Sequence, residues 1–199
     1  MKRKTLVTII AFMSIILQPS FTCYAQDKLF SINGGIAKIV GHGSDNWKLG
    51  IFVGSNGFYS ISTMILIGGR IALNTFPRDN TKWEEAEKGK WDASGSMILY
   101  EIIPSLRIIP PSTSEKQIID LFGQCGIGLF ILKHDSKMTH EGSTYGVMKG
   151  SDNKIGISLG GGFQFGKKGS DRYEILALYH IIFTELKDKY FSVNIGMLL

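Results

Sequence analysis

The 199-residue chain is short of the features that would mark most soluble classes. It has only two cysteines, Cys23 and Cys125, and five prolines. A disulfide-stapled secreted domain is therefore excluded as soon as one cysteine is lost. Past residue 25 there is no apolar run of 18 or more residues, so no helix in that part is long and apolar enough to cross a bilayer. No set of His, Cys, Asp or Glu has metal-ligand spacing, and no glycine run opens a helix in the way a phosphate-binding loop requires. No metal or cofactor is expected. Charge of one sign is also scarce. The formal charge of +5 comes from 22 basic and 17 acidic residues, but three of the basic residues are Lys2, Arg3 and Lys4. Without the first 25 residues the balance falls to +2, which argues against a nucleic-acid partner.

Those three charges precede an uncharged run from Thr5 to Leu17, the pattern of a secretory leader. The run is too short to span a membrane. Ala25 follows Thr22-Cys23-Tyr24 with small Cys23 two residues before it, so residues 1–25 are expected to be removed and the mature chain, 26–199, to begin at Gln26. A lipid-modified Cys23 is the alternative, but Ser20-Phe21-Thr22 lacks the aliphatic and small residues of such a site. Cys125 would then be the only cysteine left.

What the chain has in abundance is alternation. From Lys154 to Gly166, Ile155, Ile157, Leu159, Phe163 and Phe165 alternate with glycine, serine and glutamine. The last ten residues place Phe191, Val193, Ile195, Met197 and Leu199 on one face and Ser192, Asn194 and Gly196 on the other. Period two means a β-strand with one apolar and one small or polar face. Six more segments fit: Lys28–Val40, Trp47–Tyr59, Thr63–Phe76, Ser96–Ile108, Gln117–Leu132 and Tyr173–Phe183. The eight segments are joined by connections that alternate between shorter and longer, with the longest at Pro77–Gly95 and Lys133–Asn153. The 24 glycines fall often inside strands, where they weaken a soluble sheet but ease the crowded interior of a narrow barrel. The prediction is an all-β fold, an eight-stranded antiparallel up-and-down transmembrane β-barrel with apolar side chains turned outward to lipid.

The segments Tyr100–Arg107, Phe122–Leu129, Ile155–Phe165, Tyr179–Phe183 and Tyr190–Leu199 together make the chain resemble the outer-membrane β-barrel domain family of the small OmpA/OmpX type. Leu199 stands where a terminal aromatic is more usual. The resemblance implies a cell outer-membrane location in a Gram-negative envelope, contact with outer-membrane lipid and lipopolysaccharide, and recognition of the C-terminal strand by the barrel insertion machinery. It also implies a role in envelope integrity or surface interaction, with an extracellular ligand for the loops. Some barrels of this size modify lipid A, so a lipid-modifying enzyme is a second reading. A soluble lipocalin-like periplasmic barrel is a third. The His134-Asp135-Ser136 and His42-Gly43-Ser44 triplets have a base and a hydroxyl two apart, but lack the Asn-Ala-Gly that follows the deacylase motif, and no catalytic residue is assigned.

Polar residues on the inward parity are Lys48, Arg70, Asn74, Glu101, Arg107, Asp120, Gln124, Gln164, Glu174 and His180. Arg70, Glu101, Arg107, Glu174 and His180 are expected to form an interior salt-bridge network, because an eight-stranded barrel fills with side chains and an ionised group there needs a partner. Arg70 should meet Glu101 if the third and fourth strands form a hairpin. Trp83 and Trp91, among dense mixed charge in the Pro77–Gly95 connection, mark a candidate surface-interaction loop.

Overall fold

In a computed structural model the chain is described at residues 28–41, 44–79, 91–110, 119–166, 172–184 and 188–199. The expected leader, and with it Gln26, lies outside the described residues. Eight strands follow one another: β1 (Lys28–Val40), β2 (Gly50–Ser60), β3 (Ile65–Pro77), β4 (Trp91–Ile108), β5 (Ile119–His140), β6 (Ser143–Phe165), β7 (Arg172–Ile182) and β8 (Lys189–Leu198). Each pairs antiparallel with its sequence neighbours, and β8 returns to β1, so the sheet closes into a barrel. Closure leaves no sheet edge along the wall, which is what a sheet inserted in hydrocarbon requires.

The register fixes the shape. Stepping across the ladders from Leu29 leads through Phe58, Gly68, Ser105, Gly126, Ser158, His180 and Tyr190, and arrives back on β1 at Ile39, ten residues above the start. Eight strands with that stagger tilt by about 40° and climb roughly 2.5 Å per residue along the barrel axis. The 11 residues of β7 then give a wall roughly 27 Å high, close to the apolar band of about 25 Å that such barrels present.

Alternation sorts the side chains as the period demands. Ile51, Val53, Ile71, Ile127, Ile155, Leu159 and Ile195 are among the large apolar residues exposed on the outer surface, whereas Arg70, Arg107, Glu101, Glu174 and His180 are buried. The free Cys125 also faces outward. This is the reverse of a soluble sandwich. Close curvature explains the glycines of the inner face: a Cβ on Gly68 would sit 1.9 Å from the Gly57 carbonyl oxygen, and one on Gly162 equally near that of Ile175.

Three expectations need correcting. Lys133–Asn153 is not a loop: β5 and β6 run on as a continuous hairpin closed at Glu141-Gly142, both with positive φ (47° and 81°), a two-residue turn suited to strand twist. Its period carries on past the barrel because cross-strand pairing, here interrupted by one register shift at Met138/Thr139, satisfies the backbone. Trp91, expected in a loop, is the first residue of β4 and pairs with His140. β4, β5 and β6 thus rise together as a three-stranded blade on the order of 20 Å beyond the rim. Trp83 lies outside the described residues. Lys48, placed on the inward parity by its alternation, precedes β2 and is exposed.

Candidate functional site: a filled core and a projecting blade

The interior holds two polar layers, which can be read along β7. Glu174 belongs to the layer nearer the chain termini, Leu176 and Leu178 form an apolar septum, and His180 belongs to the layer nearer the blade. In the first layer Arg107 Nη1 reaches Glu174 Oε2 at 2.8 Å, and its Nε and Nη2 both donate to Gln124 Oε1. Its guanidinium lies between the rings of Phe58 and Phe122, 4.4 and 4.1 Å from their centroids. Glu174 Oε1 accepts from Ser31 Oγ and Asn56 Nδ2. Side chains from β1, β2, β4, β5 and β7 therefore converge on one carboxylate and one guanidinium.

In the second layer Arg70 Nε lies 3.2 Å from Glu101 Oε2. The two are diagonal neighbours, since Arg70 is paired with Ile103 and Ala72 with Glu101. Glu101 Oε1 accepts from the Tyr190 hydroxyl at 2.7 Å and from Asn74 Nδ2. Phe52 covers the Arg70 guanidinium at 4.3 Å. His180 stacks flat on Tyr190 with centroids 4.1 Å apart, and its Nε2 is 3.2 Å from Ser192 Oγ. Phe130 and Phe76 close around this stack edge-on.

Tyr190, Ser31 and Asn56 are members of these layers that the sequence does not single out. Their alternation signals the inward face, but contact across the lumen joins residues such as Ser31 and Glu174, 143 positions apart. A third pair, Arg172 with Asp120 at 2.8 Å, is half-buried at the terminal end of the barrel.

These contacts decide what the interior can do. A hydroxyl beside an imidazole, as at His180 and Ser192, is the start of a nucleophilic arrangement. Both residues are wholly buried, and His180 is covered by the Tyr190 ring with Phe130 edge-on to it. Among the described residues no group of three or more His, Cys, Asp or Glu is placed to hold a metal ion. Ion pairs and rings fill the middle of the barrel, and a cavity of about 410 Å³ opens at the blade end down to Leu99, Phe76 and Tyr190.

The blade has the opposite character. Among the described residues no strand other than β5 pairs with β6 from Ser143 to Asn153, and none pairs with the outer edge of β4 from Trp91 to Ser94, so these two edges lack a ladder partner. Its outward face carries Lys133, Lys137 and Lys149, with Asp135 Oδ2 3.2 Å from Lys149 Nζ.

No family model matches the chain, and no curated protein does. Among solved structures, Neisserial surface protein A is 11% identical over 86% of this chain and 96% of its own, with a TM-score of 0.54. A major outer membrane protein from Thermus thermophilus is likewise 11% identical over 86% of this chain and 98% of its own, with a TM-score of 0.53. At that identity the likeness is one of fold, and the chain shares with these two proteins the small antiparallel barrel.

Proposed function

We propose that the protein is a non-enzymatic integral barrel of the outer membrane that acts at the cell surface through its projecting blade. The observation that carries the reading is the contrast between the two ends of β4, β5 and β6. Below the rim these strands show isoleucine and leucine outward over a buried, charge-paired core; above it they continue as a polar sheet whose edges have no ladder partner among the described residues. An apolar belt of bilayer height calls for lipid, since exposed patches of that extent are not kept in water by a monomeric soluble protein. A lumen filled across its middle leaves the surface as the place where the molecule meets other molecules. Open β-edges suit an extended polypeptide that adds as a further strand, the mode in which main-chain hydrogen bonds give affinity.

Export is proposed on the leader pattern, with Gln26 as the first residue of the protein recovered from envelopes, as N-terminal sequencing would read it. For insertion, membranes washed with alkaline carbonate should keep the chain and aqueous buffer alone should not release it. For the blade, cells displaying the wild type are compared with cells displaying a chain in which residues 134–152 are replaced by a short turn. Attachment to an immobilised host extracellular matrix should fall with the blade removed. Equal attachment at equal surface abundance sinks the surface-interaction reading and leaves envelope integrity as the role.

A further inference from the structure

We infer that the cavity in the mouth of the barrel, at the foot of the blade, binds a free amino acid with an aromatic side chain. This goes beyond the surface-attachment reading and is tested separately from it. The cavity holds about 410 Å³, within the size range of small-molecule sites, and barrel mouths are one of the places where such sites occur. Register stacks one wall in rows. Leu99 and Leu132 lie side by side, and Met97 and His134 form the next inward row toward the blade tip. Across the mouth, β7 ends at Ile182 and β8 begins at Lys189, preceded by Asp188, and all three line the cavity.

The floor is closed. Tyr190 is pinned by its hydroxyl, which donates to Glu101 at 2.7 Å, and Phe76 meets the Tyr190 ring edge-on with centroids 6.1 Å apart. Beneath them lies the buried layer of Arg70 and Glu101. A long acyl chain has nowhere to run, so the occupant is compact. The wall favours a ring. Phe76 and Tyr190 supply aromatic surface, Met97 a polarisable sulfur, and Trp47 a further ring at the edge. Trp47 is held in place, because its carbonyl accepts from Lys38 Nζ at 2.7 Å and its backbone bridges to Arg78 at the end of β3. A rigid planar ligand entering a preformed cup loses little freedom on binding.

The rim sets the charge. Asp188 and Lys189 are consecutive, both line the cavity, and among the described residues no ion pair joins the two. One acid and one base side by side match an ammonium and a carboxylate carried on one carbon. A plain aromatic acid would bring its carboxylate beside Asp188, and a plain aromatic amine its ammonium beside Lys189, each a like-charge contact that disfavours the wrong ligand. Asn46 and His134 add hydrogen-bonding groups for the same polar head. Both charges above a ring-lined apolar cup select an aromatic zwitterion.

The test places the full chain in phosphatidylcholine nanodiscs and dialyses it to equilibrium against radiolabelled L-tryptophan, with empty discs as the blank. Binding should saturate at one molecule per barrel. Indolepropionate, which lacks the amine, and tryptamine, which lacks the carboxylate, should each compete about tenfold or more weakly than unlabelled L-tryptophan. L-Leucine, a zwitterion without a ring, should also compete more weakly. Asp188→Asn and Lys189→Met should each weaken tryptophan binding about tenfold, and Leu132→Trp, which fills the cup, should abolish it. Lys28→Met at the opposite end of the barrel should change nothing. Heat-shifted migration on a gel verifies that each variant is folded. No saturable binding by the folded wild type, or full binding by folded Leu132→Trp, overturns the site. Competition by L-leucine or by either single-charge analogue as strong as by L-tryptophan itself overturns the aromatic zwitterion as its occupant. Either result leaves the attachment reading standing.

Discussion

Arg70 and Glu101 face each other diagonally across the β3–β4 ladder, with Nε 3.2 Å from Oε2 and the guanidinium plane covered by Phe52 at 4.3 Å. Glu101 is also the acceptor for Tyr190 and Asn74, so three other side chains depend on one carboxylate. Glu101→Leu strands a buried cation and should destabilise the barrel by about 3–5 kcal/mol. Arg70→Met added to it removes the stranded charge and should recover a large part of that loss. Unfolding in urea, followed in lipid vesicles by tryptophan fluorescence, measures both. If the double variant is no more stable than the single one, the pair is not the coupled unit described.

Arg107 is held by its shape as much as by its charge. Arg107→Lys keeps a cation for Glu174 but loses the two donations to Gln124 and the flat contact with Phe58 and Phe122. A planar, multiply bonded arginine is not replaced by a point charge. The expected cost is about 2 kcal/mol, with the folded state still reached. A midpoint in urea unchanged from wild type would contradict it.

Leu159 and Val147 lie on one strand, both outward and similarly exposed, at 64% and 56%. Only Leu159 falls within the belt. Leu159→Arg should cost roughly 2–4 kcal/mol in a bilayer, and Val147→Arg close to nothing. A barrel living in water would treat the two alike, so equal effects in vesicle refolding would count against lipid as the solvent of this face.

Two glycines separate crowding from ordinary flexibility. Gly68→Ala puts a methyl 1.9 Å from a backbone oxygen, so the β2–β3 ladder has to move apart. At Gly57 the nearest atom is 3.8 Å away, in Phe30, and alanine fits. Gly68→Ala should lower the folded yield severalfold when refolding is scored by heat-shifted migration, while Gly57→Ala should refold as the wild type does. Matching yields would remove curvature as the reason for the inner glycine.

Alternation makes the barrel legible from the chain alone. It bounds Lys28–Val40 to the residue, and the lower ends of the other strands within two, because burial on one face only leaves a period of two that turns interrupt. Inward polar residues are legible by the same parity, which puts Arg70, Glu101, Arg107, Glu174 and His180 on the lumen side. The blade is not legible. Above the rim the outward face of β5 and β6 carries Lys133, Asp135, Lys137, Lys149 and Ser151 in place of the belt's isoleucine and leucine, so the sequence from Lys133 to Asn153 lacks a large apolar face to alternate and reads as loop.

Which polar residues meet depends on closure. Residue parity is local, and one strand carries it. The meeting of Ser31 with Glu174, or of Tyr190 with Glu101, depends on the ten-residue stagger that brings β8 beside β1 and sets who lies opposite whom across the lumen. Residue order alone dictates eight strands, the apolar face of each, and an inside that is charged and crowded. Folding in three dimensions pairs the charges into two buried layers, because those contacts depend on distances between segments that are far apart in the chain and become neighbours only when the sheet shuts. It also lets three strands outgrow the wall, because pairing between successive strands continues above the rim where no large apolar face marks it.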